Sequence, residues 1–242
     1  MKKAVTAIAA VFLLTILVQA DSYIKQNVHQ DGFEMMGQKQ PATDEIIEQW
    51  IGANQMAMVR KGQSIIVDLD KSAVFVVNHN AKTYVEMALP LDISKYMPAG
   101  PMSQMVGQTK VTITPNGQTQ TVGQWKCDGY DMTMDMMGGM MKLNSKIWAS
   151  KEVAIDWQTL SDRLLPLITQ ASMRLSEDSM KEFAKVKGLQ IKSESSMQMM
   201  GTEVKMSQEV LEISTKPAPA GVYAVPAGYT KRDQFSMQEM RQ

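Results

Sequence analysis

The segment from Gln55 to Pro90 constrains the fold most, because short apolar runs alternate there with tight turns. Runs of roughly five to eight residues bounded by Gly, Asn and Asp are typical of an antiparallel meander. The predicted strands are Met56–Arg60, Ser64–Leu69, Ala73–Val77 and Lys82–Met87. Apolar and polar residues do not alternate cleanly in them, so both faces of the predicted sheet are apolar. We expect a helix, a hydrophobic ligand or both to cover these faces.

The first twenty residues have the pattern of a secretory signal peptide. Lys2 and Lys3 form a basic start, Ala4–Val18 is apolar, and Val18-Gln19-Ala20 resembles a small-residue cleavage site. The apolar run is short for a membrane span, which disfavours a permanent anchor. Asp21 instead of a Cys directly follows the cleavage point, so lipid anchoring is not indicated. The sequence therefore predicts a free periplasmic or secreted protein that is not an integral membrane protein after cleavage.

The chain that remains after cleavage is long enough for one domain with a sizeable core. We predict a single domain over residues 21–230 and a polar tail over residues 231–242. Loss of Lys2 and Lys3 changes the balance from 25 basic and 25 acidic residues to 23 and 25, a net charge of −2. This balance does not indicate a nucleic-acid partner. The lone Cys127 cannot form an internal disulfide, so we expect a small buried residue there.

A second turn signal lies downstream of the meander. Asn116-Gly117 separates the alternating runs Lys110–Thr114 and Gln118–Val122. Asn-Gly is the strongest short hairpin signal, so these runs are predicted to be the two strands of a hairpin.

The hydrophobic period changes to that of a helix beyond residue 156. The positions on one helical face are Leu160, Leu164, Leu167 and Ile168. Pro166 predicts a kink within this segment, and Ser179–Val186 predicts a further helical piece that ends before Gly188. The predicted class is α+β, with an antiparallel sheet curled into an unclosed half-barrel around a short kinked helical insert.

Residues suited to catalysis are scarce. The chain has two histidines, His29 and His79, and no nucleophile-elbow, zinc-protease or phosphate-loop motif. Both histidines are expected at the surface. The sequence therefore predicts a protein that is not an enzyme, with no cofactor and no conventional metal site.

Methionine is the unusual component of the composition, since the chain has 23 Met but only 5 Phe. Several methionines recur at spacing two, which places them on one face of a strand. These columns are Met56 and Met58; Met132, Met134 and Met136; and Met197 and Met199. Unbranched thioethers re-pack readily, so a wall of them suits ligands of variable shape. We therefore predict a cavity for a hydrophobic small molecule, such as a lipid or acyl chain.

Two other interpretations of the methionine columns remain open. The columns can pack against the helices as an ordinary filled core, in a structural or interaction protein whose partner is another envelope protein. They can also bind copper, because soft thioether ligands select Cu(I). The near absence of His and Cys weighs against a copper site of mixed ligands.

Five short segments carry a family resemblance: Ser64–Asp68, Lys82–Met87, Trp125–Tyr130, Lys146–Ser150 and Val225–Tyr229. In this order they resemble a family of uncharacterised secreted bacterial proteins, a domain of unknown function. That family is similar in fold to the outer-membrane lipoprotein carriers of the LolA, LolB and LppX superfamily. The resemblance implies an unclosed barrel curled around a helix, with an apolar cavity that holds lipid chains in the carriers. It implies function by analogy of fold alone.

Overall fold

The computed structural model describes residues 20–35, 37–97, 109–136, 139, 141–155, 160–173, 175, 177–199 and 201–236. The predicted signal sequence, apart from its last residue, Ala20, falls outside these residues. The strands of the first half are β1 (Asp21–Gln30), β2 (Phe33–Met35), β3 (Gln38–Gln40), β4 (Thr43–Ile51), β5 (Gln55–Arg60), β6 (Gln63–Asp68), β7 (Ala73–Asn78) and β8 (Thr83–Ala88). Those of the second half are β9 (Lys110–Val122), β10 (Trp125–Met136), β11 (Met141–Ser150), β12 (Leu189–Met199), β13 (Thr202–Lys216) and β14 (Thr230–Arg232).

The protein is mostly β, so the predicted α+β class is wrong. Strands hold 59% of the residues and helices 11%. Between β11 and β12 a π-helical turn, Leu160–Leu164, runs into α1 (Leu165–Met173), and α2 (Glu177–Phe183) follows. The prediction gave this helical period too much weight, because the helices span only a few turns and cover part of one sheet face. A 3₁₀ turn, Ile93–Tyr96, follows the meander.

Twelve strands form one open sheet in the order β14-β8-β7-β6-β5-β4-β1-β13-β12-β11-β10-β9, and β2 and β3 form a separate hairpin. Strand β1 lies in the middle of the sheet, and strands β4 to β8 extend the sheet to one side of it. The chain then crosses to β9 at the opposite edge, and β10 to β13 fill the space back to β1. Only the β14–β8 pair is parallel among the described strands. Because β1 pairs with both β4 and β13, it fixes the two halves of the sheet in one register.

The two faces of the sheet can be followed from strand to strand, since directly paired residues of an antiparallel ladder share a face. We call the side covered by α1 and α2 the helix face and the opposite side the strap face. The helix face passes through Met58, Gln49, Ile24, Val28, Gln208, Ser193 and Ile147. It therefore continues without interruption from β5 to β10.

Both faces of the meander are covered, but the predicted helical cover lies on one of them only. On the helix face, Leu160 and Leu164 of the π-helical turn are fully buried and belong to one core cluster with Met56 and Val67. On the strap face, residues 217–229 form a strap, whose Val222 and Tyr223 pack against a cluster of meander residues. The strap face of the meander is therefore covered by the strap instead of a helix.

The predicted hairpin at Asn116-Gly117 is wrong, because both runs belong to the single strand β9. The register between β9 and β10 shifts here: Pro115 pairs with Tyr130 and Thr119 with Asp128, so a bulge forms opposite Gly129. A Cβ atom on Gly129 would clash with the side chains of Asn116 and Trp148. The missing side chain at position 129 leaves room for the bulge. The Asn-Gly pair lies within this bulge, and the strand continues beyond it in the same direction.

Helix α2 lies against the edge strand β9 and uses side chains to occupy its hydrogen-bonding groups. Glu182 Oε2 accepts the Ile113 N–H at 2.9 Å, and Ser179 Oγ donates to the Thr109 carbonyl at 2.7 Å. The opposite edge, β8, is extended by β14. Beyond β14 the buried Phe235 donates its N–H to the Tyr96 carbonyl, so part of residues 231–242 packs on the fold.

Candidate functional site

The methionines selected from the sequence fall into two groups on the helix face. Met56 is fully buried and Met58 half-buried in the cluster beneath the π-helical turn. Met132 and Met134 are buried and Met136 is half-buried in a second cluster, which includes Leu175 and residues of α2. The structure thus places both groups against helices.

The two groups are separated by the middle of the sheet. Strands β5 and β10 are six positions apart in the strand order, or roughly 29 Å along the sheet at about 4.8 Å per strand. Met197 lies between them on β12, half-buried, where it pairs with Leu143 and Val204. Met199 pairs with Met141, and its side chain lies outside the described part of the structure. The register therefore brings Met197 close to the β10 group and leaves Met56 and Met58 apart.

Neutral polar side chains line the helix face between the two groups. Ser195 Oγ donates to Ser145 Oγ at 2.8 Å, and Gln208 Nε2 donates to Gln26 Oε1 at 2.7 Å. Ser145 and Gln26 are buried, and Ser193 is buried beside them. These hydroxyl and amide groups satisfy one another without a charge, as a buried surface requires. The helix face thus combines two soft apolar regions with an uncharged hydrogen-bonding strip.

A groove of about 610 Å³ lies on the strap face of the long strands, and the sequence analysis missed it. The lining includes the intervening row of Met132, Ser145, Ser195 and Met206. The next helix-face residues on β11, Leu143 and Ile147, are absent from it and both strap-face rows beside that row are present, which places the groove on the strap face. Two rows of cross-strand partners form its walls: Asp131, Lys146, Glu194, Ser207 and His29; and Thr133, Asn144, Ser196 and Lys205. Polar residues at every second position of β10–β13 were the sequence signal that could have predicted a polar surface here.

His29 lies at one end of the groove between two carboxylates. Its Nδ1 is 2.9 Å from Asp44 Oδ1, and its Nε2 is 3.0 Å from Asp31 Oδ1. Both ring nitrogens donate only in the imidazolium form. The hydrogen bond with Asp44, and next that with Asp31, raises the pKa of His29 above its ordinary value of 6.5. The groove therefore keeps this positive charge beyond the pH at which an isolated histidine loses it.

His79 connects the meander to the strap. Its Nε2 is 2.8 Å from Oγ of the buried Ser64, and its Nδ1 is 3.1 Å from the Tyr229 hydroxyl. A hydroxyl–imidazole pair is also the arrangement of an activated nucleophile. Here the third member is a phenol from the strap instead of a carboxylate, and Ser64 lies inside a paired strand. The geometry accounts for how the strap is held in place.

Cys127 is fully buried, as the sequence predicted, and burial raises the pKa of its thiol. Within the described ranges, no three His, Cys, Asp or Glu residues are grouped closely enough to hold a metal ion. The same ranges contain no helix with the length and apolar character needed to cross a membrane.

A repeated triplet marks three hairpin connections and was also missed. Met-Met-Gly occurs at residues 35–37, 136–138 and 199–201. Each copy falls between two strands of a hairpin, β2–β3, β10–β11 and β12–β13. Gly37 and Gly201 have positive φ angles, which suits glycine at a tight turn. Methionines concentrate at these strand ends, and the Met-Met-Gly repeat identifies them better than methionines two residues apart do.

Comparison with known proteins places the chain in a family but assigns it no activity. No curated protein matches it significantly. A solved structure, the ywiB protein from Bacillus subtilis, matches with 11% identity over 82% of this chain and 94% of that one, at a TM-score of 0.18. A family model, "Domain of unknown function (DUF4412)", matches residues 28–229. The protein is therefore a member of the DUF4412 family of unknown function.

Proposed function

We propose that this protein is a non-enzymatic binding protein of the periplasm or the extracellular space. It holds a hydrophobic ligand on its helix face, either a lipid or an acyl chain such as that of a lipoprotein. The observation that carries the proposal is the shared face of the methionine groups on β5 and β10, with the uncharged strip between them. The resemblance to lipoprotein carriers and the pattern of the first twenty residues support the class of ligand and the location.

The two kinds of surface on the helix face suit different parts of an amphiphile. Thioether side chains adapt to an acyl chain of variable shape, and the Ser and Gln strip can hydrogen-bond an ester or hydroxyl group. A ligand of this kind has to displace part of the helical cover. The cover is made of short pieces, since α1 has nine residues and α2 seven, and such segments have little intrinsic stability.

Photo-crosslinking with a diazirine-labelled neutral acyl ester tests the proposal. We expect adducts on Met56, Met58, Met132, Met134 and Met136, and displacement of the label by unlabelled lipid. The matched variants are Ser195→Asp and Ser196→Asp, neighbours on β12 whose side chains belong to opposite faces. The first adds a charge to the helix face and is expected to reduce labelling, whereas the second is expected to leave it unchanged. Labelling confined to the groove, or protein repeatedly recovered without ligand that also ignores acyl esters, contradicts the proposal.

A further inference from the structure

Thioether side chains concentrate on the helix face where β10, β11 and β12 end together. Met136 lies directly opposite Met141. One row below, Met134 lies opposite Leu143, which lies opposite Met197. We call Met134, Met136, Met141 and Met197 the methionine block. Among the described side chains at these adjoining register positions, Leu143 is the single one without sulfur.

The spacing allows three sulfurs of the block to meet. Directly opposed residues have Cβ atoms about 4.5–5.5 Å apart, and diagonal neighbours about 7–8 Å. Met141 is opposite Met136 and diagonal to Met197, so it lies between them. Each methionine side chain has three rotatable bonds and bends readily. The thioethers of Met136, Met141 and Met197 can therefore reach a common point above β11.

Burial distinguishes these three residues from the methionines on the same face that are closed off from solvent. Met136, Met141 and Met197 are half-buried, whereas Met134 is 2% exposed and Met56 and Met87 are fully buried. A small ion can thus reach the three sulfurs from solution. Neutral ligands leave the charge of a bound ion uncompensated, and a half-exposed position lowers the cost of removing that ion from water.

The donor set selects the ion. The methionine block contains thioethers alone, with no carboxylate, imidazole or thiolate at its register positions. Hard divalent cations and zinc require oxygen, nitrogen or thiolate ligands, whereas thioethers select Cu(I). We propose that Met136, Met141 and Met197 form a binding site for Cu(I). The two proposals share only Met136, and this site does not depend on lipid binding, because its half-buried sulfurs lie at the strand ends and need no displacement of α1.

Titration of the purified, delipidated protein with Cu(I) under reducing conditions, in competition with a chromophoric chelator, tests the site. We expect one equivalent bound more tightly than micromolar. In a parallel experiment with ¹³C-methyl methionine, Ag(I) serves as a redox-inert probe. The methyl resonances of Met136, Met141 and Met197 are expected to shift, and that of Met56 is expected to stay in place.

The variants are chosen to keep the fold. Met136→Leu combined with Met141→Leu conserves volume and is expected to weaken Cu(I) binding by at least about tenfold. The matched control combines Met56→Leu with Met58→Leu, two methionines on the same face of β5, six positions from β10 in the strand order, and is expected to bind Cu(I) as the wild type does. Affinity weaker than micromolar, equal binding by both double variants, or Ag(I) shifts confined to other methionines would each overturn the site. If the Met136→Leu, Met141→Leu variant is unstable, the methyl shifts of the wild type still show which methionines bind the ion.

Discussion

The hydroxyl of Tyr229 lies 3.1 Å from Nδ1 of His79, although 150 positions separate the two residues in the chain. Their rings also meet edge to face, with centroids 5.8 Å apart. Through His79 the contact continues to Ser64 in the meander. This polar contact therefore helps to fix the end of the strap to the sheet, directly before the backbone pairing of β14 with β8.

Loss of that contact should loosen the strap. Tyr229→Phe removes the hydroxyl and keeps the ring, so we expect the free energy of unfolding to fall by about 1 kcal/mol. Urea denaturation measures the change, and hydrogen exchange of residues 222–225 should quicken with it. The matched control is Tyr84→Phe, since Tyr84 packs against the same cluster and its hydroxyl has no hydrogen bond among the described residues. An equal effect of both substitutions would argue against the specific contact.

The buried carboxylate of Asp68 should make stability depend on pH. Burial favours its neutral form, but hydrogen bonds from the side chain and backbone of Lys71 and from Gln55 outweigh burial and lower the pKa below 3.8. Because the pKa is lower in the folded state, the stabilisation is complete above pH 3.8 and is lost as the pH falls through the folded value. Asp68→Asn is expected to cost about 1–3 kcal/mol at pH 7.

Urea denaturation at pH 7 and pH 3 measures this dependence. The gap between the wild type and Asp68→Asn should narrow at the lower pH. Asp70→Asn serves as the control, because Asp70 is exposed and its carboxylate accepts a hydrogen bond from Asn54 alone among the described contacts. A gap that stays constant between the two pH values would contradict the prediction.

The pKa of His29 should depend mainly on Asp44. An NMR titration of the imidazole is expected to give a pKa above 6.5 in the wild type. Asp44→Asn should lower that pKa, and Asp31→Asn should lower it less, because the hydrogen bond with Asp44 has the larger effect. Since the folded-state pKa is raised, any stabilisation from His29 is complete below pH 6.5 and is lost as the pH rises through the folded value. Titration at 6.5 in the wild type would refute the bridged geometry.

The two environments of methionine should differ in what they contribute to stability. Met134 is 2% exposed, so Met134→Ala should create a cavity and cost about 2–5 kcal/mol. Met141 is half-buried at the strand end, and Met141→Ala should cost roughly 1 kcal/mol or less. Chemical denaturation of the two variants tests the difference. Similar losses would mean that both side chains belong to the same close-packed core.

The meander could be predicted from sequence because its strands pair with immediate neighbours. Predicted and observed bounds agree within one residue at each end, as for Ala73–Val77 against β7. The Asn-Gly pair was misread because a contact distant in sequence decides the outcome. Gly129 on β10 makes room for the Asn116 side chain, and the chain continues as one strand instead of reversing.

The arrangement of the candidate site could not be predicted from local patterns, because it depends on the pairing register between strands that are distant in sequence. Spacing predicted correctly that Met132 and Met134 share a face, but no local pattern could show how that face relates to Met58. The pairing of β1 with both β4 and β13 determines the relation, and it joins positions far apart in the chain. The same pairing brings His29 beside the polar rows of β10–β13, which explains why the groove could not be located by spacing.

The contacts between α2 and β9 also influence how the protein meets other chains. A terminal strand with vacant amide and carbonyl groups recruits foreign strands, but Glu182 and Ser179 already engage those of Ile113 and Thr109. A chain that adds to this border must first lift α2, which would uncover Met132 and Met134 beneath it. Self-association through β9 therefore carries the energetic cost of opening the interior, and this cost guards a methionine-rich protein against aggregation.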